Sequence, residues 1–155
     1  MKSILLKKGW AGKTISRAET IERFNPIIKK HIVLNRFYDA AIRDLDHDEH
    51  TKQFTLDQRT ARADVGKLCE TVFSCGGVAY SGTDLDPEAV SSGSSLEDVM
   101  FNLFDLETDL QDAISEEESI EHQMRSRAIL GVVKTHSAER YKYLSNATRK
   151  LNRPD

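Results

Sequence analysis

GGVAYSGTDLDPEAVSSGSS, residues 76–95, is rich in glycine and serine, holds Pro87 and offers few apolar side chains. No helical or strand period runs through it. An irregular connection of about 20 residues is long for a compact domain, so the segments on either side decide what it joins. After it, Ser94-Ser-Leu-Glu97 has the form of a capping box, and Leu96, Val99, Leu103, Leu106, Leu110 and Ala113 repeat in alternating steps of three and four. A helix is predicted over about 95–115, with an apolar seam and no inward carboxylate. Before it, Thr55-Leu-Asp-Gln58 is another box of this type, Ala61, Val65, Leu68 and Val72 form a stripe, and Gly76-Gly77 supplies a left-handed stop. That predicts a helix over about 55–75.

Farther out, Asn25-Pro26 reads as a helix start, because Asn caps free amides and Pro at the first position loses no needed N–H. Ile27, His31, Leu34, Tyr38, Ala41 and Leu45 then define a helix over about 26–47, which Ser16–Phe24 extends as a preceding turn or a continuous N-terminal segment. At the other end, Ser115-Glu-Glu-Glu118 repeats the capping signature, and Ile120, Met124, Ala128, Leu130, Val133, Tyr141 and Leu144 predict a helix over about 116–150. The first two helices have a short link, and so do the last two. Two antiparallel hairpins joined by one long crossover follow from this. The fold class is all-α, a four-helix bundle over residues 16–152, with residues 1–15 as an N-terminal tail or strap.

Composition agrees with one helical domain. The chain has 155 residues, 39% hydrophobic and 30% charged. No apolar run approaches the roughly 20 residues that span a bilayer, and Ile4-Leu5-Leu6 is too short for a signal-peptide core. A cytoplasmic protein is expected. Cys69 and Cys75 lack a redox or zinc spacing and read as ordinary buried thiols. Net charge is only −3, yet Leu68–Met124 carries fourteen acids and no Lys or Arg, while all 22 basic residues lie outside it. Two readings account for the asymmetry: basic helices facing an acidic one within the domain, or a field that steers a partner. The clustered acids argue against a nucleic-acid face.

The helix and linker order, Arg59, Arg62, Leu68, the Gly76-Gly77 stop before a Ser/Gly/Pro crossover, and His136 late in the last helix together resemble the ferritin-like superfamily, in particular its small bacterial members of unassigned function. The resemblance covers about residues 18–150. It implies a mid-bundle site, which in the di-iron members takes a Glu from each of two helices and Glu-x-x-His from the other two. No Glu-x-x-His occurs in this chain, and the nearest forms are Asp44-x-x-His47 and the reversed His136-x-x-Glu139. A standard ferroxidase centre is not expected.

Two residue groups retain metal-ligand chemistry. In the core, His31 lies on the first helix's apolar stripe, where His is ordinarily a hydrogen-bonded core residue, and with His136 and Glu139 it forms a candidate site. Near the first turn, DLDHDEH, residues 44–50, is either a solvated turn or an exposed divalent-ion site built from Asp44, His47, Glu49 and His50. GWAGKT and DLDPEA fail as phosphate and calcium loops, because Lys7 stands where the first Gly is required and Ala89 where the turn Gly is required. No catalytic residue set emerges. The leading expectation is a non-catalytic bundle without cofactor that works by self-association or protein binding, with Trp10, the N-terminal strap and the divided charge as contact features and with no nucleic-acid or membrane partner. The alternative is a metal-binding or metal-oxidising protein holding Fe, Mn or Zn at a non-standard site. A third reading is a small-molecule pocket within the bundle.

Overall fold

The structure, a computed structural model, describes residues 13–45, 48–86, 95–151 and 153. Helix α1 spans Arg17–Asp44, α2 Asp48–Ser74, α3 Leu96–Glu116 and α4 Met124–Thr148, with a 3-10 turn at Glu117–Ser119. Among the described residues there is no strand. The molecule is therefore an all-helical four-helix bundle. None of these helices is long and apolar enough to cross a membrane.

Helix α1 begins earlier than Asn25-Pro26 suggested. Ser16 is its N-cap, its hydroxyl accepting from Glu19 N at 3.1 Å, and Pro26 lies inside the helix. Asn25 serves the chain that follows α2 instead, its Nδ2 donating to Val78 O at 3.1 Å while its Oδ1 accepts from Tyr80 N at 2.8 Å. A capping-type side chain thus holds the start of that connection. The expected face of α1 is correct, with Ile27, His31, Leu34, Tyr38 and Ala41 buried.

The proposed Thr55–Gln58 box is also internal, because α2 starts at Asp48. Thr55 Oγ1 donates back to Thr51 O, and Gln58 Nε2 donates to Asn35 O and Asp39 Oδ1 on α1. The Gly stop holds. Gly76, at φ 84°, donates to Phe73 O and Gly77 to Val72 O, the paired bonds of a Schellman motif. Ser95, one residue later than expected, caps α3 by accepting from Asp98 N. The last helix departs most: residues 117–123 form the 3-10 turn and a link, α4 begins at Met124 without a side-chain cap, and Met124 and Ala128 face solvent rather than the core.

Packing follows from these faces. The start of α1 lies beside the end of α2 through Asn25–Val78, and beside the end of α3 through Arg23 Nη1, which donates to Glu117 Oε2 at 3.3 Å. The start of α2 lies beside the end of α4 through His50 and Tyr143, and the start of α3 meets the same end of α4 at Phe104 and Tyr141. Phe24, Ile28, Leu34, Tyr38, Phe54, Leu68, Met100, Leu103, Leu110 and Leu144 fill the core. Ile15 is buried and its N–H donates to Glu121 O, so the chain just before α1 is tied across the opposite link. Residues 1–12 of the expected strap, Trp10 included, lie outside the described residues.

Part of the charge asymmetry is met by ion pairs inside the domain. Lys30 pairs with Asp109, Arg23 with Glu117, Arg153 with Asp105 and Lys134 with Glu118, each joining a basic residue outside Leu68–Met124 to an acid within it. Cys69 and Cys75 are free and half-buried, less enclosed than expected.

Candidate functional site: a buried polar centre

A network of polar side chains that the apolar stripes did not include lies in the middle of the bundle. Arg140 of α4 and Glu107 of α3 are both buried, and the guanidinium donates twice, Nε to Oε1 at 2.7 Å and Nη2 to Oε2 at 3.1 Å. Ser137 Oγ donates to the same Oε2 at 2.7 Å. This corrects the expectation that the third helix presents no inward carboxylate. Its buried face runs Val99, Leu103, Glu107, Leu110 and Ile114, one position round from the Leu106–Ala113 seam.

The network continues to α2. Arg140 Nη1 donates to Thr60 Oγ1 at 3.1 Å and stands 3.9 Å from Asp64 Oδ2. Asp64 is fully buried and takes the Nδ1–H of His136 between its two oxygens at 2.9 and 3.0 Å. Burial raises the Asp64 carboxyl, and the bond from His136 and the nearby charges of Arg140 and Lys67 oppose the rise. Arg140 is itself raised: burial alone would lower it, and the charge and hydrogen bonds of Glu107 outweigh that. Its charge is thus held by a planar, two-point partner, the geometry a buried guanidinium requires.

Around this pair are polar groups of a second kind. His31 of α1 donates its Nδ1–H to Ile27 O at 2.9 Å, and burial lowers it to about 4, so the ring is neutral near pH 7. Asp57 of α2 is raised to about 6 by burial, against the bond it accepts from Gln53 at 2.9 Å. Tyr38 is pushed well above 10 by burial and then by the charges of Glu107 and Asp57. His31 Nε2, Tyr38 Oη and Asp57 Oδ2 are buried without a hydrogen-bond partner among the described residues.

Among the described residues, the members of the two predicted metal groups take separate partners. His31 and His136 bond to different groups, a backbone carbonyl and Asp64, and Glu139 is exposed on α4. Of DLDHDEH, Asp44 ends α1 and pairs with Arg43, Glu49 is exposed in the first turn of α2, and His47 lies outside the described residues. His50 Nδ1 is 2.5 Å from the Tyr143 hydroxyl, and its ring stacks on Phe54. Glu49 stands in a first helical turn, where an acid suits the helix dipole, whereas Asp44 is the last residue of α1. Among the described residues, no three His, Cys, Asp or Glu side chains are placed together to hold a metal ion.

Sequence reasoning also passed over His122. Its Nε2–H donates to Glu117 Oε1 at 2.8 Å, and its ring meets Phe24 edge-on. Comparison with protein-family models, with curated proteins and with solved structures finds no match for this chain.

Proposed function

We propose that the chain is a ferritin-like four-helix bundle, two antiparallel hairpins joined by the crossover of residues 76–95, and that it works without catalysis by self-association or by binding another protein. The arrangement is supported by the contacts of helix starts with their neighbours' ends. It is also supported by the path of the crossover: Gly77 lies against Ile21, Tyr80 bonds Asn25, and Gly82 O accepts from Arg36, so the chain advances along α1 as it leaves α2. A 27-residue helix is about 40 Å long, and 20 extended residues reach about 66 Å, so the connection is long enough to travel the bundle.

The observation that carries the role is a set of large apolar side chains left in water at one end. Phe73 is 61% exposed, Val78 82% and Met124 86%. Helix α2 closes at that end and α4 opens there. Covering such surface is what association offers. Meanwhile the bundle centre uses Glu107 to neutralise Arg140, which favours a structural over a catalytic use of that carboxylate. Light scattering on the full chain over a range of concentrations tests this. A mass above the 17.5 kDa of one chain, lowered by Phe73→Ser with Met124→Ser, is expected. A concentration-independent mass of one chain refutes self-association.

A second reading, metal binding, draws on one feature. Asp64 holds the Nδ1–H of His136, the second-sphere arrangement that orients a ligating imidazole through its other nitrogen. Elemental mass spectrometry after incubation with Fe(II), Mn(II) and Zn(II) decides it: metal retained and lost in His136→Ala supports the reading, and metal-free protein refutes it.

A further inference from the structure

An open cleft of about 310 Å³ lies between the last turn of α3, the 3-10 turn and the first half of α4. Ile114, Ile120 and Leu130 give it an aliphatic floor. Its volume is at the lower end of small-ligand sites, which run from about 300 Å³ upward. Charge is balanced around that floor: Glu117 and Glu118 line it together with Arg127 and Lys134. Lys134 pairs with Glu118, and Arg127 Nη2 with Glu121 Oε1 at 2.6 Å, and all four of these side chains are more than two-fifths exposed. Exposed pairs of this kind exchange partners at little cost.

Two further observations point to an occupant. His122 lines the cleft and is 1% exposed; its Nε2 faces Glu117, and its Nδ1, an acceptor in the neutral ring whose Nε2–H Glu117 takes, has no hydrogen-bond partner among the described residues. Gly131, also in the lining, stands inside α4, where glycine is destabilising relative to alanine. A Cβ there would meet no described atom within 4 Å, so packing does not demand the glycine. A side chain at this lining position would extend into open space.

We propose that this cleft binds a free aliphatic α-amino acid, its side chain on Ile114, Ile120 and Leu130, its carboxylate on Lys134 and Arg127, and its ammonium on Glu117, Glu118 and the His122 ring. A ligand with one charge satisfies half of this lining and repels the other half. A zwitterion with a short alkyl chain satisfies both.

The test is calorimetric titration of the full chain with L-leucine, with isocaproate (leucine without its amine) and isoamylamine (leucine without its carboxylate) as probes. Saturable leucine binding is expected, with each single-charge probe at least roughly tenfold weaker. Gly131→Leu fills the cleft from a position with free space and is expected to abolish binding while keeping the helical circular dichroism and cooperative melting of the wild type. Lys134→Ala, at a half-exposed site, is expected to weaken leucine roughly tenfold and to leave isoamylamine unchanged. No saturable binding of leucine, equal binding of either probe, or full binding by folded Gly131→Leu would each overturn the proposal.

Discussion

Asp57 and His31 set up opposing responses to acid, which can be separated by substituting each. Asp57 has a folded pKa of about 6 against an ordinary 3.8, roughly two units, and each unit is worth about 1.4 kcal/mol, so ionising it in the fold costs about 3 kcal/mol. The sign follows from proton binding. Between about pH 4 and pH 6 the native state retains a proton that the unfolded chain has released, so this group lowers stability as pH rises, with the full cost present above about pH 6. His31 runs the other way: its folded value is about 4 against 6.5, the unfolded chain binds the extra proton between those values, and stability falls by about 3 kcal/mol as pH drops through the window. In the wild type the two contributions nearly cancel from about pH 4 to pH 6. Asp57→Asn keeps the acceptor for Gln53 and removes the ionisation. Its stability relative to wild type, measured by urea unfolding, is expected to be near zero at about pH 4 and to rise to about +3 kcal/mol at about pH 7. His31→Gln carries a constant packing cost, and its stability relative to wild type is expected to fall by about 3 kcal/mol over the same rise in pH. Parallel curves for wild type and both variants would refute the burial argument for these two groups.

Three other outcomes follow from local geometry. Arg140→Met leaves Glu107 buried without its cation and is expected to cost about 3–5 kcal/mol in urea unfolding, most of which returns in Arg140→Met with Glu107→Leu. Pro26→Ala restores the missing N–H within α1 and is expected to raise stability by about 1–3 kcal/mol, read as an increase in Tm. Gly82 has φ 78°, and a Cβ there would lie 2.9 Å from Ile32 Cγ2, so Gly82→Ala is expected to cost at least about 1–2 kcal/mol, whereas Gly66→Ala, with open space around it, is expected to be neutral or stabilising.

The fold is legible in the sequence wherever an apolar stripe runs without interruption. The face of α1 and the Gly76 stop follow from such patterns and stand. Boundaries are less legible, because Asn25-Pro26, Thr55–Gln58 and Ser115–Glu118 have the chemistry of helix starts and each is claimed by another partner: the backbone just after α2 for Asn25, α1 for Gln58, and Arg23 with His122 for Glu117. The polar centre is hidden as long as the stripes are treated as apolar only. The predicted fourth helix has a gap between Val133 and Tyr141, and Ser137 and Arg140 occupy it at steps of four and three. On the third helix, Leu103, Glu107, Leu110 and Ile114 have as good a helical period as the Leu106–Ala113 seam, and only an inward Arg on another helix makes that phase acceptable. One chain's sequence contains both gaps but not their alignment. His122 lies outside every periodic pattern, in a link that reads as helix, so nothing marks it as buried.

That alignment gives the polar centre a structural consequence. Helix α4 has the least regular apolar face: it buries Ser126, Ser137, Arg140 and Thr148 while leaving Val132 40% exposed, so apolar contact alone sets its height against its neighbours only loosely. Arg140 removes the ambiguity, because it meets Glu107 on α3 and Thr60 on α2 at a single level, and His136, four residues earlier, meets Asp64 one turn further along α2. A slip of α4 by one turn would carry the guanidinium away from its two-point partner and bury an unpaired charge at about 3–5 kcal/mol. Set against a total stability of about 5–15 kcal/mol for a domain, that penalty excludes the slipped packing. The buried ion pair therefore acts on which bundle forms more than on how stable it is, and replacing both partners with apolar residues should preserve stability while loosening the register of α4.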